Sequence, residues 1–121
     1  MTLLQSITAL YKLVQDGRDM EALDTYYADE VVITEGDGAV RHGKEAQRAA
    51  MEAFSAGVTT HDMRVLVLTA NEQTGHTAVE VEWDATWGEA GRATMREVGV
   101  QQWQDGKIIA ERFYYDTRNM S

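Results

Sequence analysis

The first half of the chain has the hydrophobic spacing of helices. Apolar positions recur at intervals of three and four over residues 3–14, which is typical of an amphipathic helix. A second short helix is predicted over residues 19–27, a β-branched strand over 31–33, and a third helix over 44–56. The third helix is predicted to pack tightly on a sheet through a mostly alanine face: Ala46, Ala49, Ala50, Ala53 and Phe54.

The second half has a hydrophobic period of two, which indicates strands. Four strands are predicted over residues 64–70, 79–87, 94–104 and 107–116, and the Asp105-Gly106 pair favours a tight hairpin between the last two. Apolar and acidic residues alternate along the second strand, so that one of its faces is rich in Val and Trp. The order of elements predicts an α+β fold in which helices cover one face of a curved, mainly antiparallel sheet.

Composition narrows the class of protein. The 121 residues predict a single domain, residues 1–121, with the ordinary globular balance of 44% hydrophobic and 26% charged residues. The net charge of −9 argues against nucleic-acid and membrane-surface partners, because phosphates would be repelled. The absence of cysteine excludes disulfides and thiolate metal sites. The first residues do not resemble a signal peptide, so we expect a cytoplasmic protein. No Gly-rich phosphate loop occurs, and we expect no cofactor.

Several short motifs occur in an order that points to a family. They are Asp16-Gly17-Arg18-Asp19, residues 26–33, residues 41–46, residues 100–108, and Arg112-Phe113-Tyr114-Tyr115-Asp116. In this order and spacing the chain resembles the SnoaL-like proteins of the nuclear transport factor 2-like superfamily. That group includes polyketide cyclases, ketosteroid isomerases and limonene epoxide hydrolases. The resemblance implies a cone-shaped fold with three helices on a curved sheet, and a function that the fold alone does not determine.

The resemblance to ketosteroid isomerases places two residues at catalytic positions. Tyr11 falls on the oxyanion-hole tyrosine and Glu35 on the aspartate that acts as the base. The position of the second oxyanion-hole group falls near Gly99, which has no side chain and is also a candidate β-bulge. Loss of one such donor typically costs about 10²–10³ in rate, so the resemblance does not imply fast steroid isomerisation.

The resemblance to limonene epoxide hydrolases is incomplete at its catalytic positions. Phe113 occupies the place of one aspartate, and the Arg-x-Asp pair falls near Glu80 and Glu82. Epoxide hydrolysis by that set of residues is therefore not expected. By pattern alone, Glu80 and Glu82 belong to a solvated sheet face, although the resemblance would place them in the pocket.

Glu35 and Tyr11 are the candidate catalytic residues, and each has an alternative interpretation. A carboxylate at a strand end that faces an apolar pocket is suited to act as a general base. Alternatively, Glu35 is a solvated loop acid, and Tyr11 is a core residue whose hydroxyl needs a partner. The predicted pocket lining is mostly aromatic: Tyr27, Phe54, Trp83, Met95, Trp103, Phe113 and Tyr115. The three histidines have no metal-ligand spacing, so no metal site is predicted.

These observations lead to a function class. We expect a protein with one apolar pocket for a small hydrophobic or ring-containing molecule, and acid–base chemistry of the isomerase or cyclase type if it is an enzyme. The alternative is a non-catalytic ligand-binding or dimeric interaction domain. A homodimer is predicted, because a sheet face rich in Val and Trp would otherwise be exposed.

Overall fold

Six strands and three α-helices form the structure, a computed structural model that describes residues 1–118. The helices are α1 (Leu3–Gln15), α2 (Asp19–Tyr26) and α3 (Lys44–Gly57). The strands are β1 (Tyr27–Thr34), β2 (Val40–His42), β3 (Val58–Asn71), β4 (His76–Trp87), β5 (Arg92–Gln104) and β6 (Lys107–Tyr115). A single turn of 3₁₀-helix, Gly88–Ala90, joins β4 to β5.

The strands form one sheet in the order β2-β1-β6-β5-β4-β3. The β1–β6 pair is parallel and the other neighbouring strands are antiparallel. Asp105 and Gly106 have φ values of 53° and 78° in the turn between β5 and β6, as the sequence predicted for this hairpin. The three-residue strand β2 was not predicted, since so short a segment has no measurable hydrophobic period. The α+β fold predicted from the sequence is confirmed.

The core lies between the helices and the concave face of the sheet. Ile7 and Leu10 of α1 pack against Val79 and Val81 of β4, and all four are at most 2% exposed. Val79, Val81, Trp83 and Ala85 therefore face inward, and the acids that alternate with them face outward. The Val- and Trp-rich face is covered by this chain's own helices.

The outer face of the sheet is held by ion pairs. Glu82 binds Arg64 of β3 and Arg96 of β5, the latter at 3.0 Å, and Asp84 binds Arg92 at 2.9 Å. The acidic residues of β4 are therefore on the solvated face and not in the pocket. This also removes the reason given for the homodimer, because the apolar face is already covered within one chain.

Helix α3 packs differently from the sequence prediction. None of its residues is buried, and Ala46, Ala49 and Ala53 are exposed. Ala50 and Phe54 of the predicted inner face, together with Met51, do turn toward the sheet, but at a distance that leaves a cavity between helix and sheet. Within residues 1–118, no helix is both long enough and apolar enough to cross a membrane.

Candidate active site

A cavity of about 440 Å³ lies between the three helices and the inner face of β4, β5 and β6. Most of its wall is apolar or aromatic, with carboxylates at several points. Eight of the nine residues that the sequence predicted for the site line this cavity: Tyr11, Tyr27, Glu35, Phe54, Trp83, Met95, Phe113 and Tyr115. The structure thus brings together residues from two helices and four strands, plus the loop after β1.

Trp103 lies away from the cavity wall, contrary to the sequence prediction. It faces inward but sits at the turn end of β5, where the pairing with β6 shifts register between Gln102 and Trp103. The residue is 7% exposed, and its ring meets Tyr26 edge to face, with ring centroids 6.2 Å apart. The β-bulge thus falls here and not at Gly99, which pairs regularly with Val79 and Phe113.

Glu35 lies on the cavity wall in the loop that follows β1. Its Oε1 pairs with the Arg41 guanidinium at 2.8 Å, and its Oε2 accepts a hydrogen bond from the Tyr115 hydroxyl at 3.0 Å. The Tyr115 ring closes over Gly36, where an added Cβ would come within 3.0 Å of the ring. Partial burial and the Glu35 carboxylate raise the pKa of Tyr115 to about 12. Both carboxylate oxygens of Glu35 are therefore engaged.

Glu97 of β5 is a carboxylate in the cavity that sequence reasoning missed. Its Oε1 accepts a hydrogen bond from the Trp83 indole N–H at 3.1 Å, and its Oε2 has no hydrogen-bond partner in the described part of the chain. Burial, with a smaller contribution from Glu35, raises the pKa of Glu97 to about 7. The Glu97 side chain points inward because it alternates along β5 with Met95 and Gly99 on the same face. The sequence contains this alternation, but it does not show which face of the strand is the inner one.

Glu111 of β6 is the other cavity carboxylate with a raised pKa, and it is buried at 2% exposure. Its Oε1 accepts from the Tyr27 hydroxyl at 2.7 Å, and its Oε2 accepts from the Gln101 amide at 2.8 Å. Burial raises the pKa of Glu111 to about 7, although the hydrogen bonds from Tyr27 and Gln101 oppose that shift. It was also missed, since an isolated acid in a strand usually faces solvent.

Two tyrosine hydroxyls face this pair of carboxylates. Burial, together with the nearby charges of Glu111 and Glu97, raises the pKa of Tyr11 well above its usual value. Burial and Glu111 do the same for Tyr27. Both phenols therefore keep their protons near neutral pH and serve as hydrogen-bond donors. The cavity therefore places hydrogen-bond donors beside carboxylates that titrate near neutrality, a combination suited to proton transfer.

Comparisons with known proteins agree with this geometry. A family model described as a SnoaL-like domain matches residues 7–111 of the chain. The chain belongs to the SnoaL-like family. The crystal structure of a protein named as a SnoaL-like polyketide cyclase of Mesorhizobium loti has a TM-score of 0.86 at 31% identity. That match covers 95% of this chain and 100% of that one.

More distant structures share the fold of this SnoaL-like domain. An LEH-like epoxide hydrolase of M. tuberculosis has a TM-score of 0.76 at 18% identity, covering 97% of this chain and 80% of that one. A protein with a ketosteroid isomerase-like fold from Catenulispora acidiphila, solved with trimethylamine, has a TM-score of 0.77 at 14% identity. It covers 96% of this chain and 88% of that one. A search of curated proteins finds no significant match.

The SnoaL-like domain has no arrangement of three His, Asp or Glu side chains suited to a metal ion within residues 1–118. Its cavity carboxylates are instead spread over the wall, with Glu35 engaged by Arg41 and Glu111 engaged by Tyr27 and Gln101. Their surroundings favour proton transfer, because each sits beside a phenol, an indole or an amide that can donate a hydrogen bond.

Gly99 makes room for the Gln101 amide in this SnoaL-like domain. A Cβ added at Gly99 would lie 2.9 Å from Gln101 Nε2 and 3.2 Å from the Phe113 ring. We expect Gly99→Ala to destabilise the protein by about 1–3 kcal/mol through overpacking, as measured by denaturant unfolding. Gly57→Ala is the matched control, because a Cβ there meets nothing within 4 Å. Equal stabilities for the two variants would contradict this account.

Proposed function

We propose that the protein is an acid–base enzyme that moves a proton within a small, mainly apolar, carbonyl- or ring-containing molecule, with Glu97 as the base. The observation that carries this proposal is the state of Glu97 in the cavity wall. Its pKa of about 7 makes it an effective base at neutral pH, and one of its oxygens has no partner among residues 1–118. A substrate C–H or O–H placed against that oxygen would meet a base poised to accept its proton.

Glu35 remains the candidate that the sequence predicted, and its contacts suit a different role. The Arg41 guanidinium and the Tyr115 hydroxyl occupy its two oxygens. A substrate proton could reach neither oxygen without displacing one of these two partners. We therefore assign to Glu35 the positioning of Arg41 at the cavity wall and assign proton abstraction to Glu97.

Tyr11 and Tyr27 complete the proposed machinery as hydrogen-bond donors. Removal of a proton next to a carbonyl places negative charge on the carbonyl oxygen, and a positioned donor lowers the energy of that charge. Both hydroxyls lie on the cavity wall and, with raised pKa values, keep their protons near neutral pH, although the Tyr27 proton is shared with Glu111 Oε1. The apolar walls from α1, α2 and α3 favour a substrate with little charge of its own.

The alternative is a non-catalytic ligand-binding domain, and the aromatic wall favours it. Phe54 and Trp87 meet edge to face at the cavity, with centroids 5.8 Å apart. An apolar ring could bind there through burial alone. The cavity is not lined by aromatic and Met residues alone, however, since Glu35 with its partners, Glu97 and Glu111 also converge on it. That convergence favours the enzyme.

The test of the proposed function is proton exchange in D₂O. A panel of cyclic ketones and unsaturated ketones is incubated with the protein, and exchange of the protons next to the carbonyl is followed by NMR. Native mass spectrometry of the purified protein, which detects co-purified molecules, guides the choice of the panel. We expect at least one member of the panel to exchange faster with the protein than in buffer. Micromolar binding of ring compounds with no exchange would support the non-catalytic alternative.

A homodimer remains a prediction, but the argument for it now comes from the outer face of the sheet. The outer face of the sheet carries exposed Leu66, Val67 and Tyr114 among its ion pairs, and a two-fold contact there would bury them. We expect light scattering at micromolar concentration to give twice the chain mass of 13.5 kDa. A monomer mass under those conditions would contradict the prediction.

A further inference from the structure

Behind the cavity, four buried side chains form a continuous line of hydrogen bonds. The Trp103 indole N–H donates to Thr77 Oγ1 at 2.8 Å, and the Thr77 hydroxyl donates to Gln101 Oε1 at 2.7 Å. The Gln101 Nε2 amide then donates to Glu111 Oε2 at 2.8 Å. Thr77, Gln101 and Glu111 are each at most 2% exposed, so bulk water does not compete for these groups.

The direction of this line is fixed by chemistry. An indole N–H can only donate, so the Thr77 oxygen must accept from Trp103 and use its own proton elsewhere. Among the side chains that the structure describes, the acceptor for that proton is Gln101 Oε1. Turning the Gln101 amide over would place its NH₂ group, a donor, against Thr77 and leave the buried hydroxyl proton without an acceptor, at a cost of about 1–3 kcal/mol. The Gln101 N–H groups therefore face Glu111.

This direction decides where Glu111 holds a proton. Oε2 meets an N–H donor that cannot reverse, so an added proton cannot sit between Oε2 and Gln101. The remaining place is Oε1, which faces the Tyr27 hydroxyl at 2.7 Å. Once Oε1 carries the proton, it donates to the Tyr27 oxygen, and the Tyr27 proton turns away from Glu111. Since Tyr27 lies on the cavity wall, that proton is then free to meet a ligand.

We propose that Trp103, Thr77 and Gln101 are positioning residues that make Tyr27 a switchable donor, which binds a ligand carbonyl or oxyanion when Glu111 is protonated. With Glu111 ionised, the Tyr27 proton is held by Oε1 and the hydroxyl offers the ligand only a lone pair. Binding of a carbonyl oxygen is therefore coupled to uptake of one proton by Glu111. The inference rests on the proposed function only in taking the cavity as the ligand site.

Other ionisable groups share this cavity and must be separated from Glu111. The side chains whose charges act on it are Glu97 of β5 and Glu35 of the loop after β1, while Tyr27 of β1 donates to it and Tyr11 of α1 senses its charge. The remaining charged groups on the wall are Asp19, Asp37 and Arg41. The pKa of Glu97 overlaps that of Glu111, so a Glu97→Gln background separates these two titrations.

The first experiment follows Glu111 itself, without a ligand. Carbon-13 NMR of protein labelled at the glutamate carboxyl gives its titration curve, and the signal is assigned by its loss in Glu111→Gln. Thr77→Val lets the Gln101 amide turn over, so we expect the pKa of Glu111 to rise by about one pH unit. Thr86→Val on the same strand is the matched control, because it removes a hydroxyl bonded to His61 on the outer face.

The Glu111 titration also has a second variant in case Thr77→Val does not fold. Gln101→Leu removes the amide donor altogether and is expected to shift the Glu111 titration in the same direction. A Glu111 titration that is unchanged in Thr77→Val, or in Gln101→Leu where that variant must be used, would overturn the role of the hydrogen-bond line. A Thr86→Val shift as large as the Thr77→Val shift would also overturn it.

The second experiment measures binding of 1-indanone, a neutral bicyclic ketone, by calorimetry from pH 5 to pH 9. In Glu97→Gln protein we expect affinity to fall about tenfold per pH unit above the pKa of Glu111, because only the protonated fraction binds. Adding Glu111→Gln should make affinity high and independent of pH, since the new amide N–H donates to Tyr27 permanently. Adding Tyr27→Phe instead should make the affinity for 1-indanone weak and independent of pH.

Three binding results would overturn the switch: affinity that does not change with pH, pH dependence that survives Glu111→Gln, and no indanone binding at any pH in any variant. The outcome is distinct from that of the proposed function. Proton exchange that is absent from the wild type, with these binding shifts intact, would contradict the enzyme and leave the switch standing.

Discussion

Replacing Glu97 by glutamine is expected to lower the rate of proton exchange by about 10²–10⁴-fold, with little change in ligand affinity. Glutamine keeps the shape of the side chain and can still accept the hydrogen bond from Trp83, but it cannot take up a proton at neutral pH. Because the base must be ionised, kcat/KM measured in a Glu111→Gln background, where Tyr27 stays a donor to the ligand, should rise with pH through about 7, the pKa of Glu97, and level off above it. NMR-detected exchange across pH 5–9 measures both effects.

Glu35→Gln is the matched control for this experiment. It is also a cavity carboxylate changed to its amide, but it loses an ion pair with Arg41 and not a free basic oxygen. We expect a change in KM and less than about tenfold in kcat, because Arg41 is released and the base is untouched. If instead Glu35→Gln abolishes exchange while Glu97→Gln retains it, then Glu35 is the base, as the sequence first suggested.

The folded protein is expected to lose stability as pH rises from about 5 to about 8. Glu97 and Glu111 have pKa values of about 7 when folded, against an ordinary value of 4.5, so the folded state holds more protons than the unfolded state in that window. Stability is therefore greatest below the unfolded pKa and is lost as pH rises through the folded pKa. The shift corresponds to about 3 kcal/mol for each group at pH 8.

Denaturant unfolding at several pH values measures this loss, and two variants assign it. Glu97→Gln and Glu111→Gln should each flatten the pH dependence and be more stable than the wild type at pH 8. Surface acids such as Asp84 pair with arginine and have lowered pKa values, so they change the stability at lower pH. The pH dependence between pH 5 and pH 8 is therefore assigned to Glu97 and Glu111. Stability that rises between pH 5 and pH 8 would contradict the assignment.

Much of the fold could be predicted because its signals are local. The apolar stripe of α1, the alternation along β4 and the Asp105-Gly106 turn each specify an element within a few residues. Helix α3 escaped prediction in one respect, since alanine has high helix propensity and fits both a packed face and an exposed one. Only tertiary contacts decide that Ala46, Ala49 and Ala53 face solvent while Ala50 lines the cavity.

The site was predicted less well, because strand register decides whether its two key carboxylates face the cavity or the solvent. Glu97 and Glu111 lie in strands where a shift of one residue exchanges the inner and outer faces. The sequence supplied no marker for the bulge between Gln102 and Trp103, which sets the pairing with β6. Glu35 was found because it follows a clear strand and matches a family position, both of which are visible without knowing the register.

The β5–β6 hairpin divides its residues between two independent surfaces, and this has a consequence for engineering. Its inward positions, such as Glu97, Gln101 and Glu111, determine the cavity chemistry, whereas Arg96 binds Glu82 on the opposite face. The inward side chains that line the cavity, such as Met95, Glu97 and Phe113, can therefore be varied to seek new reactions while the outer ion pairs remain in place. A library confined to these codons would explore new activities and leave the packed positions, Gly99 and Gln101 among them, unchanged.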